Sequence, residues 1–211
     1  MATDRSPYET VLGAEFADLH PRLTRYFAAL PEGSVGFGQG AFDVVGTPRR
    51  WLWPVLAVLG RAGVIFPVWE HDVPFTVTNR AAGGQDGAPS VAAIRRFSLR
   101  AGERVMTDLT TVVNGELVDR IGTPALLEAS FHVSVEHGGL HLRSHRVTVR
   151  FGRVAVQIPA RFSPVVHLSE RFDDAANRQV IALTVDAPLL GRLYEYSGTF
   201  RYSVPTGGET P

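Results

Sequence analysis

Cysteine and lysine are both absent from this sequence of 211 residues. Without cysteine, disulfide bonds, thiolate metal ligands and cysteine nucleophiles are excluded, so a metal site would need histidine and carboxylate ligands. Without lysine, no residue is available for a Schiff base or for a phosphate-binding P-loop. The sequence also contains no HxH or HExxH motif. We predict neither a metal nor a cofactor.

An excess of one charge and long apolar runs are absent as well. The 21 basic residues balance 21 acidic residues, and the formal net charge is +0, so no field of one sign would recruit nucleic acid or an anionic membrane. No stretch approaches the roughly 18 apolar residues of a membrane span, and the start of the chain lacks a basic region followed by an apolar one. We predict a cytoplasmic protein that binds neither nucleic acid nor membrane, with a homodimer left open.

Alternation of apolar and polar residues is the main pattern that is present. It predicts strands over 91–100 and 103–113, joined at Ala101-Gly102, and a further strand at 116–121 after the turn Asn114-Gly115. Similar segments continue to a last strand, Leu193 to Val204. We predict a mainly β fold, one domain over 1–211, with nine or ten antiparallel strands in a curled sheet or barrel.

Helical spacing appears near the N-terminus and once more in the apolar segment Pro48 to Pro67. Apolar residues in Ser6 to Leu30 recur at helical intervals and Pro21 interrupts them, which predicts two short helices in a helical segment 1–33 that covers the sheet. We interpret Pro48 to Pro67 as a buried helix, with a lid over a hydrophobic mouth as the alternative. Residues 205–211 are predicted to be a flexible tail.

The strand Ser34 to Val45 places Gly36, Gly38 and Gly40 on one face. Strand glycines of this kind indicate sharp curvature or the close approach of another element. Their spacing is not that of the dinucleotide-binding fingerprint, so the strand does not change the prediction that no cofactor is bound.

A long hairpin, Leu126 to Phe151, carries four of the seven histidines. A turn centred on Gly138-Gly139 would place His132 opposite His145. The two side chains could then form an acid/base pair, bind a metal together with Glu136, or face water. Valines on the same face as His132 leave open a β-bulge that re-aims half of the strand.

The last strand places Tyr194, Tyr196, Phe200 and Tyr202 on one face. This pattern fits either a packed core or the wall of a cavity, since each buried hydroxyl needs a hydrogen-bond partner. The strands also contain charged residues. These are Arg95, Arg96, Asp108, Asp119 and Glu195. A carboxyl group that faces the apolar interior would have a raised pKa and could act as a general acid or base.

Several motifs together resemble one bacterial family. They are Gly36-Phe37-Gly38-Gln39-Gly40, Arg95-Arg96-Phe97, Gly138-Gly139-Leu140, Val156 to Pro159, Ala187-Pro188-Leu189-Leu190-Gly191 and Tyr196-Ser197-Gly198. From about His20 to Tyr202 the chain resembles the domain-of-unknown-function family forty-one sixty-six, whose members occur alone or behind a nicotinamide-dependent, saccharopine-dehydrogenase-like domain. The resemblance implies a β-rich fold and no catalytic residues, and a dehydrogenase activity is not carried over.

These patterns lead us to expect a barrel that binds a hydrophobic small molecule. By analogy of fold we favour a cofactor-independent cyclase or isomerase of polyketide-like natural-product biosynthesis. A carrier or sensor without catalysis, or an accessory module of a dehydrogenase, are the alternatives. The residues predicted for catalysis are Tyr194, Tyr196, His132 and Glu195. The residues predicted for substrate binding are Trp51, Trp53, Phe66, Trp69, Phe131, Phe200, Tyr202 and Arg96.

Overall fold

The computed structural model describes residues 5–83, 87–152 and 154–205. Parts of two predicted segments lie outside these residues: 1–4 of the helical segment and 206–211 of the tail. The helices are α1 (Pro7–Leu12), α2 (Pro21–Phe27) and α3 (Trp53–Arg61). The strands are β1 (Val35–Gly46), β2 (Trp69–Gly83), β3 (Pro89–Leu99), β4 (Gly102–Val113), β5 (Glu116–Ile121), β6 (Leu127–Glu136), β7 (Gly139–Phe151), β8 (Val154–Gln157), β9 (Val165–Asp173), β10 (Arg178–Ala187) and β11 (Gly191–Ser203).

The strands form a closed antiparallel barrel. Their order is β6-β5-β4-β3-β2-β1-β11-β10-β9-β7-β8, and a further pairing between β6 and β7 closes the sheet. The first half of β7 pairs with β9 and its second half with the short β8, so ten strands form the barrel and β8 lies beside it. The predicted mainly β barrel with N-terminal helices is confirmed. Closure leaves the ten strands without a free edge, which is how such sheets avoid aggregation.

The N-terminal helices cover one end of the barrel. Ser6 starts α1 with a capping box, in which its side chain accepts from the Glu9 amide and the Glu9 carboxylate accepts from the Ser6 amide. A 3-10 helix, Gly13–Asp18, leads to α2, which has Pro21 in its first turn. The His20 amide donates to the Gly138 carbonyl at 2.9 Å and ties this segment to the β6–β7 turn. The two predicted short helices are present.

The helix α3 and the residues after it close the opposite end. The Thr123 amide donates to the Ala62 carbonyl at 2.9 Å and joins this segment to the β5–β6 connection. Phe66 is buried against Phe97, with ring centroids 5.4 Å apart. Trp51, in contrast, is 60% exposed. The segment therefore contributes to the core through Phe66, as the buried interpretation of this region predicts.

The predicted glycine face of β1 points into the barrel. A side chain at Gly40 would collide with the backbone of Thr199 and Phe200 on β11, and one at Gly36 would collide with the hydroxyl end of Tyr202. The prediction of a close approach is confirmed. These positions let the aromatic residues of β11 lie flat against β1.

The β6–β7 hairpin differs from its predicted register. The turn is formed by His137 and Gly138, with φ of 50° and 76°, so Glu136 faces Gly139 and His132 faces Arg143. The predicted turn at Gly138-Gly139 is wrong by one residue. An extra residue in β7, His145, compensates for the shift, because a bulge lies where the pairing passes from Ser130 to Phe131. The rings of His132 and His145 still meet on the outer face, 4.3 Å apart between centroids.

Candidate functional site

The barrel interior contains a buried ion pair close to α1 and α2. In the β3–β4 register Ala93 faces Asp108 and Arg95 faces Met106, which brings the guanidinium of Arg95 next to the carboxylate of Asp108, and the two form an ion pair. The Asp108 side chain is 4% exposed. Burial raises the pKa of Asp108, and the neighbouring Arg95 opposes that rise. The barrel interior thus contains one positive and one negative group in direct contact.

A second carboxyl group lies beside this pair on β5. Asp119 faces Thr110 in the register and accepts a hydrogen bond from the Thr110 hydroxyl at 3.3 Å. Burial raises its pKa to about 7, and the nearby charge of Asp108 adds to the rise. At neutral pH this group can therefore both hold and release a proton.

The wall of the barrel formed by β9 and β10 carries a third carboxyl group. Glu170 is 4% exposed and accepts a hydrogen bond from the side-chain amide of Gln179. Burial raises the pKa of Glu170 to about 7, although the hydrogen bond from Gln179 acts in the opposite direction. The structure therefore selects Asp108 and Asp119 from the charged strand residues identified by sequence, and it adds Glu170.

Two tyrosines of the helical cover reach toward these groups. Burial raises the pKa of Tyr8 and of Tyr26, so both keep their protons at neutral pH and can donate hydrogen bonds. The Tyr26 ring meets the edge of Tyr202 at a centroid distance of 4.6 Å. Among the described residues, the side-chain oxygens of Asn79 and Tyr202 are buried without a hydrogen-bond partner. The covered end is therefore polar beneath its helices.

The space left inside the barrel is small. A cavity of about 30 Å³ lies between Tyr8, Asn79, Arg95, Asp108 and Thr110. Organic ligands occupy pockets of roughly 300 to 1,000 Å³. This cavity is therefore too small to enclose such a ligand.

A larger groove lies at the rim of the covered end. It has a volume of about 930 Å³ and runs between α2 with its following turn and the strands β1, β10 and β11. Its lining residues are Arg22, Arg25, Ala28, Ala29, Leu30, Pro31, Phe37, Gln39, Phe172, Asn177, Gln179, Phe200, Arg201, Tyr202, Ser203 and Val204. We call this feature the rim groove. Its volume matches that of a small-molecule site, and it combines aromatic and charged residues in the way such sites do.

The rim groove and the buried carboxyl groups are connected through one residue. Gln179 lines the rim groove, and its amide is the hydrogen-bond donor to Glu170. A ligand in the rim groove that contacts Gln179 is therefore one side chain away from the carboxyl group of Glu170. The groove thus borders a group whose pKa is about 7.

The residues predicted for catalysis are not brought together. Tyr194 and Tyr196 lie in the core at 1% and 3% exposure, whereas His132 and Glu195 lie on the outer face of the barrel. Glu195 forms an ion pair with Arg192 there. A site that combines these four residues is therefore not present, because strand alternation turns Glu195 away from its tyrosine neighbours.

The residues predicted for substrate binding are also dispersed. Phe200 and Tyr202 line the rim groove. Phe66 and Phe131 belong to two different core clusters. On the outer face, Arg96 forms an ion pair with Glu103 at 2.8 Å. Trp51 is exposed, and Trp53 and Trp69 are partly buried.

Sequence reasoning missed the arginines of α2, the tyrosines Tyr8 and Tyr26, and the pair Glu170 and Gln179. For Glu170 a signal was available: Val166, Leu168 and Phe172 share its face of β9, so a carboxylate stands in an apolar row. Gln179 likewise shares its face of β10 with Ile181, Leu183 and Val185. For the arginines and tyrosines there was no such signal, since their position depends on where the helices cross the barrel end.

A family model described as Domain of unknown function (DUF4166) matches residues 19–200. The chain belongs to this family. The resemblance predicted from its motifs is confirmed. A curated relative is the uncharacterized protein YndH of Bacillus subtilis (strain 168), which is 25% identical over 192 residues, 87% of this chain and 90% of that protein.

The DUF4166 match contains α2, Glu170, Gln179 and the barrel through most of β11, while α1 with Tyr8 precedes it. Most of the rim groove therefore lies within the family region. The described residues contain no helix long and apolar enough to cross a membrane. They also contain no group of three or more histidine or acidic side chains arranged to hold a metal ion.

Proposed function

We propose that this DUF4166 protein binds a hydrophobic small molecule in the rim groove, as a carrier or sensor. The observation that supports the proposal is a groove of about 930 Å³ with an aromatic wall, next to an interior cavity of about 30 Å³. Phe172 and Tyr202 supply that wall, while Phe200 is itself buried. Aromatic side chains give large apolar contact at low entropic cost, which suits ligand binding.

The test is a titration of the full chain with the neutral fluorophore phenylnaphthylamine. We expect a saturable rise in fluorescence with one probe molecule per chain. Gln39→Trp places a large side chain at the exposed edge of the rim groove and should weaken binding severalfold. The control is Gln157→Trp on β8, which is equally exposed but outside the groove. No saturable signal, or equal behaviour of the two variants, would refute the proposal.

A second candidate is the cofactor-independent cyclase or isomerase of polyketide-like natural-product biosynthesis. Glu170, with its pKa of about 7, supports it, because a general acid or base works best when its pKa is near the working pH. Gln179 links this carboxyl group to the wall of the rim groove. Proton transfer to and from a bound chain would then use Glu170, without a metal or cofactor.

Deuterium incorporation separates the two candidates. The protein is incubated with methyl decyl ketone in deuterium oxide, and exchange at the carbons next to the carbonyl is followed by NMR. An enzyme of the proposed kind accelerates this exchange, and Glu170→Gln abolishes the acceleration while probe binding persists. A carrier binds the ketone and leaves its exchange rate at the solvent value.

The remaining expectations stay predictions. They are a cytoplasmic location, a homodimer and a role as an accessory module of a dehydrogenase.

A further inference from the structure

The rim groove contains charge of one sign. Among the described residues that line it, Arg22, Arg25 and Arg201 carry a guanidinium and none carries a carboxylate. In the chain as a whole, 21 basic residues balance 21 acidic residues. The positive character of this groove is therefore local, and a charged ligand would meet it directly.

The three arginines are not neutralised by neighbouring acids. Within the described residues, none of the three forms an ion pair with Asp or Glu, although nine such pairs are formed elsewhere on the protein. Arg22 and Arg25 lie three residues apart on α2 and so project from the same side of that helix. Their donor groups remain available to an acceptor from outside the chain.

The charged and apolar parts of the groove are adjacent. The guanidinium of Arg22 lies over the ring of Phe172, 5.8 Å from its centroid. Arg201 faces Gln39 across the β1–β11 pairing, on the outer face of β11, and both residues line the rim groove. The guanidinium of Arg22 thus borders the aromatic wall, and that of Arg201 reaches the groove from the outer face. This arrangement suits a molecule with an apolar body and one anionic end.

We propose that the ligand of the rim groove is an amphipathic carboxylic acid, an inference that rests on the proposed function. Its apolar chain lies against Phe172 and Tyr202, and its carboxylate accepts hydrogen bonds from Arg22, Arg25 and Arg201. Arginine suits this role because its planar fork matches the two oxygens of a carboxylate. Because the charged residues that line the groove, among those described, are all arginines, the groove favours an acid over the corresponding alcohol.

The test compares two probes of equal chain length, dodecanoate and dodecanol, as competitors of phenylnaphthylamine on the full chain at low salt. We expect dodecanoate to compete on the order of tenfold more strongly, as charge-assisted hydrogen bonds imply. The double variant Arg25→Gln and Arg201→Gln should remove most of this preference, because it weakens competition by dodecanoate much more than competition by dodecanol. The control is Arg80→Gln on β2, an exposed arginine outside the groove, which should keep the preference.

The outcomes distinguish the two levels of the proposal. If phenylnaphthylamine itself does not bind saturably, the proposed function fails. If phenylnaphthylamine binds and dodecanoate does not displace it, the proposed function stands and this inference is wrong. If both compete equally in the wild-type protein, or if the double variant keeps the preference for dodecanoate, the rim groove binds hydrophobic molecules without selecting an acid and this inference is wrong.

Discussion

Carboxyl groups inside the barrel distinguish this protein from one with an ordinary apolar core. Glu170 and Asp119 lie on different walls, and burial raises the pKa of each to about 7. A group of this kind prefers its proton in the folded state. Each one therefore couples the stability of the fold to pH.

We predict that Glu170→Gln flattens the pH dependence of stability. The pKa of Glu170 rises from an ordinary value of 4.5 to about 7 on folding, so between these values the folded chain binds more protons than the unfolded chain. The free energy of unfolding then falls as the pH rises through this window, by at most about 3 kcal/mol from this residue. Urea unfolding at a series of pH values measures the slope.

The matched control is Glu103→Gln, which changes an exposed carboxylate paired with Arg96 on the outer face. Its slope should follow that of the wild-type protein, because exposed ion pairs contribute little. Parallel slopes for Glu170→Gln and the wild-type protein would show that Glu170 does not hold its proton as described.

At the level of single elements, β1 depends on positions without a side chain. Gly40 faces the barrel interior directly against the backbone of β11, whereas its neighbour Gln39 points outward and is exposed. The pairing of β1 with β11 therefore requires a missing Cβ at one particular position. This requirement is one of packing and not of unusual backbone angles.

We expect Gly40→Ala to destabilise the protein by about 3 kcal/mol, since overpacking against backbone atoms cannot be relieved by a rotamer change. Gln39→Ala on the same strand serves as the control and should change stability by less than about 0.5 kcal/mol, as surface substitutions do. Chemical denaturation of the two variants provides the comparison. Similar changes in the free energy of unfolding for both variants would mean that β1 and β11 can move apart at Gly40 without loss of stability.

The hairpin shows how far sequence reasoning reaches for an element. Alternation correctly predicts strands on both sides of the turn, because it reflects which side chains face the core. The exact turn and the bulge at His145 could not be predicted, since Gly138-Gly139 and His137-Gly138 offer turns of similar quality. The bulge at His145 allows Leu142 and Val147, which lie an odd number of residues apart on β7, both to face the interior.

For the whole molecule, the sequence predicts the barrel but not its ligand site. The strand pattern, the helical start and the glycine face are local features, and each is found in the structure. The rim groove unites α2 with residues of β9, β10 and β11 that are about 150 residues away in the chain. Such an arrangement depends on how the barrel closes and where its cover crosses, which local periodicity does not encode.

Closure itself predicts a pattern of amide hydrogen exchange. Strands β6, β7 and β9 have neighbours on both sides, so their central amides should exchange as slowly as those of β3. The short strand β8 pairs with β7 alone, and its amides should exchange at least about tenfold faster through local opening. Exchange followed by mass spectrometry tests this. Rapid exchange in β6 and β9 to the level of β8 would contradict a closed barrel.

The residues of the barrel core and the arginines of the rim groove lie in different parts of the protein, and this separation affects how such proteins can diverge. The residues that hold the barrel together are core aromatics and glycines, while the arginines proposed to choose the ligand lie on α2 and at the exposed end of β11. A duplicated gene could therefore acquire a different ligand through a few surface substitutions, with little penalty in folding. In this fold, the residues that contact the ligand can change while the residues of the barrel core stay the same.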